Sequence, residues 1–362
     1  MDLVGPAVTP LPERCEPVLR ALADKAAIAD AHGVSRTSID ALAAAGMFGA
    51  PWTPVSEQRE LAERIAMADA STWFCWAQHQ TPLAALTAAR VSSESPNVLA
   101  LQDSWLDAMR SGQALAAVAF AHLRRAGKVN PIAERVDGGW RINGSLDWVT
   151  SWDIADVLVL MVRSEDQVVT FLIPAGYSDA TPIAGVHLGE PLSLLAMGGT
   201  HTRPMLFEDA LISDDHVLSV EQFSQWRDRD AMKTIDANPA AFGVARGAIA
   251  ELVELARDRD DHAITLTAQG LAQSVRRCRE RAYALVDEGG AESERIAMRI
   301  QSLDLAAEAT RAVVIARAGA AMMRGRSAER RVREAMFLQV QAQTARTRDA
   351  HLEGMRTGTA AD

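Results

Sequence analysis

GWRINGSLDWVTS, residues 139–151, is followed almost at once by the apolar run ADVLVLMV, residues 155–162. The reading of the chain turns on these two stretches. A Gly138-Gly139 turn feeds the alternating segment Trp140 to Ile142, and Asn143-Gly144 has the composition of a second tight turn. Both dipeptides suit the positive-φ positions of short β-hairpin loops. Next comes an aromatic, β-branched and hydroxyl-bearing patch, Trp148, Val149, Thr150 and Ser151. The pattern predicts a β-hairpin that delivers an indole and two hydroxyls to one place.

Bulk properties bound the rest. At 362 residues the chain can hold two or three domains and bury a sizeable core. Apolar residues make up 48%, yet no apolar run reaches the length of a membrane span. The first residues show no basic segment followed by an apolar one, so no signal peptide is expected. Cys15, Cys75 and Cys278 lie far apart with no CxxC spacing, which fits free thiols in a reducing compartment and a cytoplasmic location. A net charge of −10 argues against a nucleic-acid partner, because phosphate backbones need a cationic surface. Lysine is confined to Lys25, Lys128 and Lys233 while arginine is abundant, a bias typical of G+C-rich coding.

Three regions follow one another. Residues 13–110 read as helices, with Ala21–His32 and Ser35–Met47 punctuated by Gly33 and Gly46. Ser35 is a candidate N-cap. Pro51 and Pro54 break the pattern before Glu57–Ala89 resumes it. Residues 115–218 turn to β-branched runs at Ala116–Phe120, Trp140–Ile142, Val157–Val162, Val168–Ile173 and Met205–Phe207. From about Glu221 the chain is helical again. Asn238-Pro239 reads as an N-cap with proline in the first turn. Ile296, Ile300, Leu303, Ala307, Val314 and Ala318 share one helical face.

The hairpin pattern resembles the flavin-contacting segment of the acyl-CoA dehydrogenase superfamily, in which Asn-Gly-Lys-x-Trp-Ile-Thr precedes an Ala-Asp strand. Other motifs agree in order: GMFGAPW at 46–52, ELAERIAMADASTWF at 60–74 and GGTHTRPMLFEDALISDDHV at 198–217. The resemblance implies an α+β, mostly α fold. Its parts are an N-terminal helical domain (1–113), a middle β-barrel-like domain (114–219) and a C-terminal four-helix bundle (220–362). It also implies flavin held between the last two, as FAD or as reduced FMN or FAD supplied by a reductase, and a homodimer or homotetramer.

A flavin ring needs an apolar wall and donors at its polar edge. The resemblance assigns these to Trp148, Val149, Thr150 and Ser151, with Phe120 and His122 on the preceding strand and Thr344 near the C-terminus. Trp148 and Trp152 equally suit plain core filling, as large aromatics do. The Thr-Glu-Pro loop of the family is replaced by residues 119–127, AFAHLRRAG, where Arg124 and Arg125 are candidates to meet a substrate phosphate.

Removing the α-proton of a thioester requires a poised carboxylate. In many members it is the glutamate of a Tyr-Glu-Gly-Thr segment, and Ala342 falls at that place. In others it lies on the first bundle helix, near Lys233 here, which leaves Asp236 as the nearby acid. An acid just before a helix also suits the helix dipole. His79 is a second acid/base candidate, although its apolar helix suits a satisfied core histidine as well. The diphosphate-reaching Arg-x-x-Phe-Gly has become Asp258–Ala263, and the Gly-Gly-x-Gly-Tyr turn has become Gly319–Arg324. Nine arginines between 311 and 348 form a candidate polyphosphate patch or a solvated helix face. No histidine pair has metal-ligand spacing, and no GxGxxG, P-loop or GxSxG occurs.

Three functions remain open on the sequence. One is a FAD-dependent dehydrogenase acting on a CoA thioester through a non-standard base, with an electron-transfer partner. Another is a two-component flavin monooxygenase that hydroxylates a small, often aromatic substrate using oxygen and needs a dry pocket. The last is a non-catalytic subunit paired with an active homologue.

Overall fold

The computed structural model describes residues 2–6, 10–48, 55–92, 95–125, 127, 130–178 and 183–357. The second half of GMFGAPW, with Pro51 and Pro54, lies outside them. The fold is α+β and mostly helical. Five helices come first: α1 (Cys15–His32), α2 (Arg36–Ala44), α3 (Val55–Ala68), α4 (Ala70–Ser92) and α5 (Pro96–Ser111). Ser35 caps α2 by accepting from the Ser38 amide at 3.2 Å. The expected single helix over 57–89 is two helices, because Asp69 ends one and caps the next through the Thr72 amide at 3.0 Å.

Eight strands form one mixed sheet: β1 (Ala116–Ala119), β2 (Ile132–Val136), β3 (Gly139–Val149), β4 (Val157–Ser164), β5 (Gln167–Pro174), β6 (Val186–Leu188), β7 (Arg203–Ser213) and β8 (Val217–Gln222). Their order is β6-β7-β3-β2-β4-β5-β8, with β1 parallel to β4. Strands β2, β6 and β8 are not evident in the sequence. Ile132 is exposed, β6 has three residues and β8 buries only Leu218, so none carries a buried apolar run.

Asn143-Gly144 is not the second turn that its composition suggests. Trp140 to Val149 is one strand, and the dipeptide makes an irregularity in its pairing with β7. The Asn143 amide donates to the Asp209 carboxylate at 3.0 Å and accepts from the Asp209 amide at 2.8 Å. Gly144 has φ +120°, and a Cβ there would lie 1.7 Å from the Asn130 side-chain oxygen. The residue is therefore obligatory, but for a bulge. The hairpin's actual turn is Asp137-Gly138, with Gly138 at φ +76°.

The remaining helices are α6 (Phe223–Lys233), α7 (Pro239–Arg259), α8 (His262–Asp287), α9 (Glu292–Arg317), α10 (Ser327–Val340) and α11 (Ala345–Thr357). Helices α7 to α10 pack on one another as a four-helix group, and α3 lies along α7. Asn238 caps α7 as expected, accepting from the Ala240 amide at 3.0 Å. On α9 the buried stripe is rotated from the expected one. It runs through Ile296, Arg299, Leu303, Ala306, Thr310 and Val313, while Ala307 and Ala318 are exposed. Thr310 can be buried because its hydroxyl donates back to the Ala306 carbonyl at 2.9 Å.

Two contacts seat the sheet on the first helices. Asp156 of the Ala-Asp motif accepts from Arg36 at 2.8 Å and from the Leu115 amide at 2.7 Å. Gly199 packs so close to α1 that a Cβ would lie 2.2 Å from the Ala29 carbonyl oxygen. Among the described residues no helix is long and apolar enough to cross a membrane.

Candidate functional site

Strand β3 ends at Val149, which is fully buried, and the chain then turns sharply because Ser151 takes a left-handed φ of 68°. The Ile154 and Ala155 amides donate to its carbonyl at 3.1 and 2.9 Å. Thr150 and Thr202 hydroxyls pair at 3.2 Å, and Thr202 continues to Thr200 at 2.8 Å. These hydroxyls form a chain, so Thr150 is positioned rather than free to rotate. Ser151 is buried beside the Cys75 thiol, which burial pushes up to about 12 despite the serine's opposing hydrogen bond. Cys75 is therefore no thiolate nucleophile. Trp148 differs from its neighbours: its side of the strand is open, and the residue is 49% exposed. Trp152, by contrast, is core.

Phe120 leaves β1 and meets Trp226 of α6 edge-on, with ring centroids 6.2 Å apart. A 3-10 turn over Ala121–Arg124 follows. Its Arg124 lies over the Phe120 ring at 4.8 Å and grips Asp230 with two 2.7 Å bonds. Arg125 pairs with Asp147 at 2.5 Å, which ties this turn to the residue before Trp148. Both arginines expected to meet substrate thus already have carboxylate partners. His122 is buried; burial lowers it to about 4 against the pull of the Met161 carbonyl, so it is a neutral imidazole. Its Nε2 has no hydrogen-bond partner among the described residues.

Across from this turn lie the start of α7, helix α9 and the link between α10 and α11. Asp236 is held by Arg295 in two bonds of 2.7 and 2.9 Å. Both carboxylate oxygens of Asp236, the acid expected as base, are thus occupied by the Arg295 guanidinium. Arg299 donates to the main-chain carbonyls of Asp236 at 3.1 Å and Gln341 at 2.7 Å. Ala342 follows in a turn with φ +52°. Thr344, expected at the flavin, closes the first turn of α11 by accepting from the Thr347 amide at 3.4 Å and pairing hydroxyls with Thr347 at 3.2 Å.

His79 lies elsewhere, fully buried between α5 and β1. Its Nδ1 accepts from the Ala116 amide at 3.0 Å, so Nε2 carries the proton and donates to the Met109 carbonyl at 3.1 Å. Burial lowers it to about 4. Both nitrogens are consumed by main chain, and the acid/base role expected of His79 is corrected to that of a core clasp.

No family model matches the chain. Benzylmalonyl-CoA dehydrogenase of Aromatoleum aromaticum is 29% identical over 132 residues, 35% of this chain and 33% of that protein. The alignments therefore span about a third of the length of the curated relatives they match. Butyryl-CoA dehydrogenase from Megasphaera elsdenii superposes with a TM-score of 0.74 at 18% identity, covering 96% of this chain and 99% of that one. The chain has the fold of the acyl-CoA dehydrogenases and is similar to them in sequence over about a third of its length. Dibenzothiophene monooxygenase from Paenibacillus sp. A11-2 shares the fold too, with a TM-score of 0.70, 18% identity and 96% and 98% coverage.

Of the residues matched to the family's ring-contacting hairpin, Trp148 presents an open indole and Thr150 is held by its hydroxyl chain. Those matched to its diphosphate segments are committed elsewhere. Asp258 is bonded to Arg257, Arg259 donates to the Ala316 carbonyl at 2.7 Å, and Asp261 caps α8 through the Ala263 and Ile264 amides. The expected arginine patch is largely neutralised: Arg317 pairs with Glu251, Arg330 with Glu334, Arg333 with Asp30, Arg346 with Glu292 and Arg348 with Asp349. Arg330–Glu334 and Arg348–Asp349 are local pairs, whereas the acids of Arg317, Arg333 and Arg346 come from remote segments that spacing does not reveal.

Proposed function

We propose that this chain is a flavin-dependent oxidoreductase of the two-component monooxygenase type, taking reduced FMN or FAD from a separate reductase. The observation that carries the reading is the pairing of Asp236 with Arg295, next to a turn that bears Ala342. Thioester dehydrogenation needs a carboxylate free to take a proton. Here the candidate acid is occupied and a cation, Arg299, lies behind the turn. The weak provision for a diphosphate supports a flavin that exchanges rather than one held permanently.

When bound, the flavin supplies the redox chemistry with oxygen. The chain's own contribution would be binding and water exclusion: Trp148 would wall the ring, the Thr150–Thr202–Thr200 hydroxyl chain would supply a fixed polar group at its edge, and the Phe120–Trp226 contact would shield one side.

Purified protein is expected to be colourless and to bind reduced FMN or FAD under anaerobic conditions, followed by fluorescence. Adding a flavin reductase, NADH and oxygen should support hydroxylation of small aromatic compounds in a substrate panel. The curated relatives favour a second reading, FAD-dependent dehydrogenation of a CoA thioester. Tightly held yellow FAD that is bleached by acyl-CoA would establish that reading and overturn ours.

A further inference from the structure

The C-terminal bundle buries several arginines, and nearly all have an acid. Arg246, Arg279, Arg330 and Arg331 each lie within 4.0 Å of a carboxylate oxygen. Arg299 is as deeply buried, at 4% exposure, but among the described residues it has no such partner. Its two recorded bonds go to neutral main-chain carbonyls. The acids close by are spoken for, since Asp236 is gripped by Arg295 and Asp304 is bonded to His351. Burial pushes Arg299 down to about 10, with Arg124 adding to the effect and Asp236 opposing it. A buried cation without a counter-ion is costly, and proteins seldom tolerate one.

Arg299 also lines a small, partly open cavity of about 10 Å³, together with Gln339, Gln343, Thr347 and His351. That volume admits roughly one small sphere. The lining is rich in donors. A guanidinium has five N–H groups, and two are accounted for by the carbonyls of Asp236 and Gln341. The Gln339 and Gln343 amides each spend one hydrogen on the main chain, at 3.2 and 3.1 Å, and keep a second.

We propose that this cavity is a buried site for one monovalent, halide-sized anion, with Arg299 as its counter-ion. A water molecule would satisfy hydrogen bonds there but leave the charge unbalanced. An anion does both. Because Arg299 also ties the Asp236 and Gln341 carbonyls together, filling the cavity stiffens the turn that carries Ala342. The inference is independent of the reaction proposed above.

Crystals of the full chain grown with sodium bromide provide the test. An anomalous bromide peak is expected beside the Arg299 guanidinium in the wild type and not in Arg299→Met. In solution, bromide should raise the thermal midpoint by about 2 °C or more over sodium gluconate at equal ionic strength. Gln339→Leu keeps the cation but removes a lining donor, and should reduce that shift. If Arg299→Met fails to fold, the wild-type crystals and midpoints still decide. Water without anomalous signal in the wild type, with equal midpoints in the two salts, overturns the proposal.

Discussion

Trp148 and His79 show how differently two side chains singled out in the sequence can be used. Trp148 keeps an open face in an otherwise buried stretch, so removing it takes away contact area with little cost to the core. Trp148→Ala should weaken reduced-flavin binding about tenfold, read by anaerobic fluorescence titration, with the thermal midpoint unchanged. Equal affinity in wild type and variant would exclude the indole from the site. His79 and His122 are neutral in the folded state because burial lowers both to about 4, whereas an unfolded histidine titrates near the ordinary value of 6.5. The unfolded chain therefore takes up protons first as pH falls. Stability contributed by these groups is complete above about pH 6.5 and is lost progressively down to about pH 4, on the order of 3 kcal/mol for each histidine. Urea midpoints measured from pH 7.5 to 4.5 should fall over this window, and His79→Gln should flatten the slope.

Helix packing accounts for two acids of the ELAERIAMADAS segment, residues 60–71. Glu63 on α3 accepts from Arg246 of α7 at 2.5 Å, from Arg279 of α8 at 3.1 Å and from the Tyr283 hydroxyl at 2.7 Å. Asp69 starts α4. Glu63→Gln leaves the buried Arg279 without its carboxylate and Arg246 with only Glu60 and Asp2, and should cost about 3–5 kcal/mol in chemical denaturation, while Asp236→Asn, a partly exposed pair, should cost about 1 kcal/mol. If Asp236 were the base, its asparagine variant would instead lose activity by orders of magnitude at nearly full stability. The element boundaries show where sequence reading succeeds. Ser35 and Asn238 were legible as caps because capping is local chemistry within three residues. The bulge at Asn143-Gly144 was not, because its partner Asp209 is sixty-six residues away.

At the scale of the molecule, the last segment leaves several large apolar side chains exposed: Ile315, Met336, Val340, Leu352 and Met355. Such exposure is more than a solitary chain usually presents. Sedimentation should show an oligomer, and the double change Leu352→Asp with Met355→Asp should shift it toward monomer. An unchanged sedimentation coefficient would place the contact elsewhere.

The sequence by itself determined the order of helices, sheet and bundle and two of the helix caps. These depend on residues close together in the chain, where periodicity and turn chemistry act. Only the tertiary structure decided which charges are free. Asp236, Arg124, Arg333 and Glu63 all take partners from distant elements, and pairing, not residue type, sets whether a carboxylate can accept a proton or a guanidinium can meet an anion. That is why Asp236 reads as a candidate base in the chain and as Arg295's partner in the fold, and why Arg299, unremarked in the sequence, emerges as a buried cation without an acid among the described residues.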